Sequence, residues 1–439
     1  MQKFLMITFL ALFCCSEGLI FAEFAGLPQG ASVKKPHRAA TRAEMPKAVF
    51  DWSPSMYQFS FHWLKMLSEK EEKTQILSPL MIYDSLLFLA EGSRAETQKQ
   101  LLDALPSEKK EAMNMEDWQA FLYPIQNTFQ LYSIPMATKL WIDKEYPLHD
   151  HFQNKINLID GKEVESLDFS KSASNKVIQK WLNTQIKKSR PLLFQKISLR
   201  EHKMLLVGLF DFHAAWKYPF LPSKTRRKDF FCLDGTVEKL PMMTQLAPFG
   251  FYKDNLLQAV FLPFQQKKEE DGKIADFEYI LLIPQERTGL SEIKKRLDIS
   301  YWKKIDRERR EEVLDFSMPK FILKETDSLK ETWKTLGIRD AFDEFSADFS
   351  GMSREKVFLS NVRNDILFDV SEKGVDATVI LSTWMGGSIP KSIHADHPFV
   401  FILREISSDV PLYVGQFTGL KDAVKPKGDK KRTIESKTP

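Results

Sequence analysis

The chain has 439 residues, 43% of them hydrophobic, and 63 Lys and Arg against 59 Asp and Glu give a net charge of +4. That is enough apolar material for a large core, and the charge is too even for a nucleic-acid signal. Thirty-four phenylalanines and only 18 glycines exclude a low-complexity or disordered chain.

Met1 to Phe13 carries one lysine, Lys3, and then an apolar run too short to span a bilayer, the pattern of a secretory signal peptide. Cleavage after Ala22 fits the small-residue rule, and Gly18 offers a second site. A membrane anchor is the competing reading. A lipoprotein at Cys14 or Cys15 is a third, but Phe13 and Cys14 are poor residues before a lipidated cysteine. Removing residues 1–22 takes Cys14 and Cys15 away, leaves Cys232 alone and so allows no intramolecular disulfide. No Asn-x-Ser/Thr sequon occurs.

Residues 23–48, with Gly26, Pro28, Gly30, Lys34, Lys35, Pro36, Arg38 and Pro46, have linker chemistry. Residues 49–420 show no long loop, repeat or low-complexity tract. Ser78-Pro79 opens a helix, and Leu80, Ile82, Tyr83, Leu86, Leu87 and Leu89 make it apolar nearly all round, which implies burial. A second helix is predicted over 174–188 around Trp181. Strand-like runs cover Lys203–Phe212, Leu257–Phe261, Phe277–Ile283, Glu312–Leu323, Asp365–Val370, Pro398–Ile406 and Pro411–Phe417. Helices come mostly early and strands mostly late, which predicts an α+β fold and not a βαβ repeat. Residues 421–439, with seven Lys or Arg, Pro426 and Gly428, form a basic disordered tail.

Near the end, Val375, Ala377, Val379 and Leu381 alternate with Asp376, Thr378, Ile380 and Ser382, the period-two pattern of a half-buried strand. Trp384, Met385, Gly386, Gly387, Ser388, Ile389 and Pro390 then break it. Taken alone, this window is a strand followed by a turn.

The wider pattern resembles the serpins. Ser78-Pro79 with Gly92 to Leu101 is similar to the second serpin helix and the turn after it. Leu206-Val207 through Phe212 to Trp216 and Phe220 is similar to the third strand of the main sheet. Thr225, Phe230, Pro241 to Gln245, Phe251-Tyr252, Pro319-Lys320-Phe321 and Ala347 to Gly351 follow in the family's order. Ser371 to Val379 resembles the hinge of the reactive-centre loop, and Pro398-Phe399-Val400-Phe401 with Gly415 resembles the closing strands. The similarity spans roughly 50–420 and implies the serpin fold, with about nine helices, three β-sheets and an exposed reactive-centre loop.

The resemblance implies a protease inhibitor, not an enzyme. A serine protease cuts the loop, forms an acyl-enzyme and is trapped when the loop inserts into the main sheet. From Gly374 to Ser388 the loop spans roughly 50 Å at about 3.3 Å per residue, enough to cross a domain. The implied hinge is Glu372, Gly374, Val375 and Ala377. The implied gate to the sheet is Trp216, Lys320 and Glu372. Ser388 lies sixteen residues after Glu372, which gives Ser388–Ile389 as the scissile bond. Counting back from Pro398 gives Gly387–Ser388. Neither offers Lys or Arg, and Met385 suits an elastase- or chymotrypsin-like target. Val379 and Ile380 are bulkier than the family's usual loop residues. Beneath the sheet Ser78 is kept, but Thr74 and Gly208 stand where asparagine is usual, Met81 where serine is, and Asn364 where histidine is. Either that polar cluster is rebuilt or the region is apolar. The alternative function is a non-inhibitory serpin acting as carrier, chaperone or binding protein.

No Gly-x-Ser-x-Gly, Gly-x-Gly-x-x-Gly, Walker or zinc-type spacing competes. His149/His151 and His394/His397 lack an acidic or Cys cluster and are expected to be loop residues. The expectations are therefore no cofactor, no metal, no nucleic acid, no stable membrane association, a monomer, and an extracellular or periplasmic location.

Overall fold

The computed structural model of the chain describes residues 50–67, 73–107, 113–159, 161–185, 198–268, 272, 274–325, 328–364, 366–374 and 390–420. The expected signal peptide 1–22, linker 23–48 and tail 421–439 lie outside the described residues, as do Val375, Ala377, Gly387, Ser388 and Ile389. The described residues all belong to one compact unit, 46–439.

The first elements are α1 (Ser53–Leu67), β1 (Gln75–Leu77), α2 (Pro79–Gly92), α3 (Ala95–Asp103) and α4 (Met115–Tyr132). Ser78 caps α2: its Oγ accepts the Met81 N–H at 3.4 Å, and Pro79 fills a first-turn position that needs no donor. All of α2 from Pro79 to Ala90 is buried, as its all-round apolar sequence predicts. Then come β2 (Met136–Asp143), α5 (Asp150–Asn157), β3 (Lys162–Leu167), α6 (Ser172–Gln185) and β4 (Met204–Phe210).

The second half is richer in strands: β5 (Arg226–Phe231), β6 (Val237–Lys253), β7 (Leu257–Pro263), β8 (Lys267–Lys268), β9 (Ile274–Ala275) and β10 (Phe277–Pro284). Helices α7 (Leu290–Arg296) and α8 (Ile299–Glu308) separate these from β11 (Arg310–Pro319) and β12 (Phe321–Glu325). The chain closes with α9 (Lys330–Thr335), β13 (Asn361–Asn364), β14 (Ile366–Val370), β15 (Lys391–His394), β16 (Phe399–Glu405) and β17 (Val410–Phe417). Nine α-helices thus occur among the described residues, in an α+β arrangement. The run Glu312–Leu323, expected as one strand, is two. Pro319 ends β11, and the Lys320 N–H turns to the Pro241 carbonyl at 2.8 Å, so that β12 enters a different sheet.

A nine-stranded sheet runs β1-β17-β16-β10-β7-β6-β11-β15, with β5 added on β6. A four-stranded sheet runs β13-β4-β2-β3, β12 pairs with β14, and β8 with β9. The four-stranded sheet is covered on both faces, so β4 is apolar throughout. Period two assigns its faces. Met204, Leu206 and Phe210 join the main core with α2, while Leu205, Val207 and Leu209 pack with Trp141 and the α6 residues Ile178, Trp181 and Leu182.

β13 and β14 follow one another with one residue between them, yet pair in opposite directions. β13 runs parallel to β4 with Asn364 opposite Gly208; β14 runs antiparallel to β12 with Phe321 opposite Val370. Among the described residues no ladder joins β14 to Leu209–Ala214 on the β4 side.

Candidate functional site: the closure above the main sheet

Three chain segments meet beyond the end of β4. One is the stretch after β4, which carries Trp216. Another is the one-residue break between β11 and β12, which is Lys320. The third is the end of β14, which leads through Ser371 and Glu372 to Gly374. The sequence links these positions only through the family pattern; the fold brings them into contact.

Lys320 Nζ donates to Glu372 Oε2 at 2.7 Å, and Thr225 Oγ1 donates to Glu372 Oε1 at 2.9 Å. The Glu372 side chain is 9% exposed and that of Lys320 is 36% exposed. Burial pushes the Glu372 carboxyl up, but the bonds from Lys320, its own backbone and Thr225 outweigh it and hold the group below the ordinary glutamate value. The Phe220 N–H donates to the Glu372 carbonyl at 2.9 Å. Trp216 bonds to the residue before Glu372. Its indole Nε1 donates to the Ser371 carbonyl at 2.8 Å, and its ring stacks on Phe264 at 4.4 Å.

Gly374 completes the closure through an antiparallel bridge to Ala215. Its φ is +70°, and a Cβ there would lie 2.4 Å from the Ala214 carbonyl oxygen and 2.6 Å from the Trp216 nitrogen. Only glycine satisfies both the backbone angle and the approach. Trp216, Lys320 and Glu372, expected as a gate, and Gly374, expected in a hinge, are therefore gathered at one place. Thr225 and Phe220, whose roles here the sequence reading did not assign, belong to the same closure. They act from loops, where no periodicity announces a contact.

Of the positions expected to hold the polar cluster beneath the sheet, Met81 and Gly208 carry no polar side chain and Thr74 is turned elsewhere. Met81 is buried, and its Cε lies 2.8 Å from where a Gly208 Cβ would be. Thr74 is bound elsewhere, its Oγ1 donating to the Gly419 carbonyl at 2.7 Å and accepting from the Thr418 N–H at 2.9 Å. One turn along α2 lies a network that the sequence reading missed. Asp84, fully buried, accepts from Lys162 Nζ at 2.5 Å, Thr138 Oγ1 at 2.6 Å and Trp118 Nε1 at 2.9 Å. It ties α2 to β3, β2 and α4.

The histidine pairs do not converge on a shared partner. His394 Nδ1 lies 2.7 Å from Ser317 Oγ, while His397 contacts Asp396 and the Pro284 carbonyl at 2.8 and 2.9 Å. His149 and His151 stack, and His149 Nε2 lies 3.2 Å from the Ser350 carbonyl. Among the described residues no group of three or more His, Cys, Asp or Glu could hold a metal ion, and no helix is long and apolar enough to cross a membrane.

The Glu372–Lys320 pair, the Trp216–Ser371 bond and the Gly374–Ala215 bridge thus tie the chain after β14 to the break after β11 and to the stretch after β4. Residues 54–419 match the serpin (serine protease inhibitor) family, and the chain belongs to that family. It is similar to Serpin B10 of Rhinolophus ferrumequinum, 28% identical over 399 residues that cover 83% of this chain and 98% of that protein. Two solved structures share its fold. Mouse protein-Z dependent protease inhibitor has a TM-score of 0.72 at 23% identity, covering 84% of this chain and 96% of that one. Human thyroxine-binding globulin complexed with thyroxine has a TM-score of 0.71 at 24% identity, covering 83% of this chain and 98% of that one.

Proposed function

We propose that the chain is a secreted inhibitor that traps a serine protease covalently by inserting its cleaved loop into the main sheet. The observation that carries this reading is the closure at the root of the loop, where the Glu372–Lys320 pair and the Gly374–Ala215 bridge tie the chain after β14 to Lys320 and to the stretch after β4. The protease serine oxygen attacks the carbonyl carbon of Ser388, or of Gly387 in the alternative register. The peptide C–N bond breaks, the freed amine leaves with a proton, and an ester joins loop to protease. Val375, Ala377, Val379 and Leu381 then enter as a new strand with hydrogen-bonding edges on both sides. Met385, near the cut, favours an elastase- or chymotrypsin-like target.

The same reading takes residues 1–22 as the signal peptide that directs secretion, 23–48 as a linker, 49–420 as the serpin domain and 421–439 as a basic tail. Mixing the purified protein with a panel of serine proteases tests it. A complex that survives denaturing gels is expected, and clean cleavage with full protease turnover across the panel overturns it.

A carrier role is the second reading. It is favoured by a cleft of about 1010 Å³ between α1 and α8, lined by Phe50, Phe61, His62, Ile299 and Lys303 among others. Turnover without trapping would support it.

A further inference from the structure

We infer that β5 is a docking strip for a protease whose surface around its active-site cleft is acidic; this rests on the trapping reading and specifies its partner. β5 reads Arg226-Arg227-Lys228-Asp229-Phe230-Phe231, and its first four residues are exposed. Lys224, two residues before it, is exposed as well. Asp229 is already paired, with Lys239 at 2.6 Å. Arg226 Nη1 donates to the Thr225 carbonyl at 2.9 Å and Arg227 Nη2 to the Lys239 carbonyl at 2.6 Å. Neither bond neutralises a charge. Among the described residues no carboxylate forms an ion pair with Lys224, Arg226, Arg227 or Lys228, so four positive charges face solvent uncompensated.

The strip's position selects the partner. Thr225, the residue before β5, holds Glu372 at the root where the loop departs. Phe231, the last residue of β5, donates its N–H to the Asp396 carbonyl at 2.8 Å, just past β15, where the chain returns from the loop. β5 therefore runs from one root of the loop to the other, roughly 20 Å for six residues at about 3.3 Å each. A protein that closes on the loop buries about 800 Å² per partner, a patch roughly 30 Å across. Such a body reaches the strip, and a complementary acidic rim gains from four charges held between the two roots of the loop. Opposite charge arranged in this way raises the encounter rate by about 10- to 1,000-fold and loses that gain in salt.

The test uses the full chain and a chymotrypsin-like protease in an anionic and a cationic isoform. The second-order rate of total loop cleavage, trapped plus released, is measured at ionic strengths of about 10 mM and about 1 M, where the screening length falls from about 30 Å to about 3 Å. The anionic isoform should react at least about tenfold faster at low salt, with the preference lost at high salt. The triple variant R226E/R227E/K228E should reverse the preference, and R226Q/R227Q/K228Q should abolish it, both with unchanged melting temperature. Equal rates for the two isoforms, or a variant that slows both alike, would overturn the docking strip. So would heparin accelerating the wild type without any isoform preference, which would assign the strip to polyanions. Charge-selective cleavage without a trapped complex would overturn trapping alone. Trapping without charge selectivity would overturn the strip alone, and a loop left uncut by both isoforms would overturn both.

Discussion

Met81 occupies the space that Gly208 leaves empty: the Met81 methyl lies 2.8 Å from the point a Gly208 Cβ would take, and both sit where α2 meets the underside of β4. The family's usual residues at these positions are serine and asparagine. The two departures are one substitution in physical terms, a side chain removed from the strand and a longer one grown from the helix.

The pair should therefore be strongly coupled. Gly208→Asn alone overpacks the site and should cost about 1–3 kcal/mol. Met81→Ser alone leaves a cavity and should cost about 2–5 kcal/mol. The double variant should be more stable than their sum predicts by about 0.5–3 kcal/mol, read from denaturant unfolding of all four proteins. Additive costs would mean that the two residues do not share the space.

Asp84 and Lys162 form a buried ion pair with every carboxylate contact satisfied from a different element. Removing one partner leaves a buried charge, so Asp84→Asn or Lys162→Met should each cost about 3–5 kcal/mol. Asp84→Asn with Lys162→Met should recover much of that loss. Unfolding midpoints of the two single variants and the double variant decide it, and a double variant as unstable as the summed singles would contradict the pairing.

Glu372 gives the closure a pH dependence. Its folded-state carboxyl lies below the ordinary value of 4.5. Its ion pair therefore contributes stability that is complete above that value and is lost as pH falls through the lower folded value. With Lys320 partly exposed, the contribution should be about 1 kcal/mol. Amide exchange over 214–220, corrected for intrinsic rates, should be about fivefold faster in Glu372→Gln than in wild type at neutral pH. The difference should shrink as pH falls below about 4.5. A difference independent of pH would assign the effect to shape and not to charge.

Much of this was legible before the fold. The all-round apolar α2 and the strands β4, β7, β10, β14, β16 and β17 follow from the hydrophobic pattern, because burial on one or two faces leaves a direct mark on sequence, and the cap at Ser78 follows from Ser-Pro at the helix start. The gate was legible only as a family pattern, since Lys320, Thr225 and Glu372 are far apart in the chain and act from breaks and loops. β6 was obscured by Pro241 and Pro248, which strand rules disfavour; Pro241 needs no donor there, and its carbonyl accepts from Lys320. Asp84 carried a signal that went unread, a carboxylate in the middle of the apolar run of α2. Its partner Lys162 sits in β3, whose pairing with β2 no local pattern reveals.

The melting temperatures of the intact protein and of the protein cut between Leu381 and Ile389 test the central claim, that the sheet between β4 and β14 accepts the loop, most directly. Insertion would bury Val375, Ala377, Val379 and Leu381 in a strand whose backbone is paired on both sides. About 1 kcal/mol moves the melting of a domain of 150–250 residues by only 2–4 °C, and insertion should release many times that. The cut protein should therefore melt tens of degrees above the intact one. Equal melting temperatures would show that the sheet does not accept the loop and would contradict trapping by insertion.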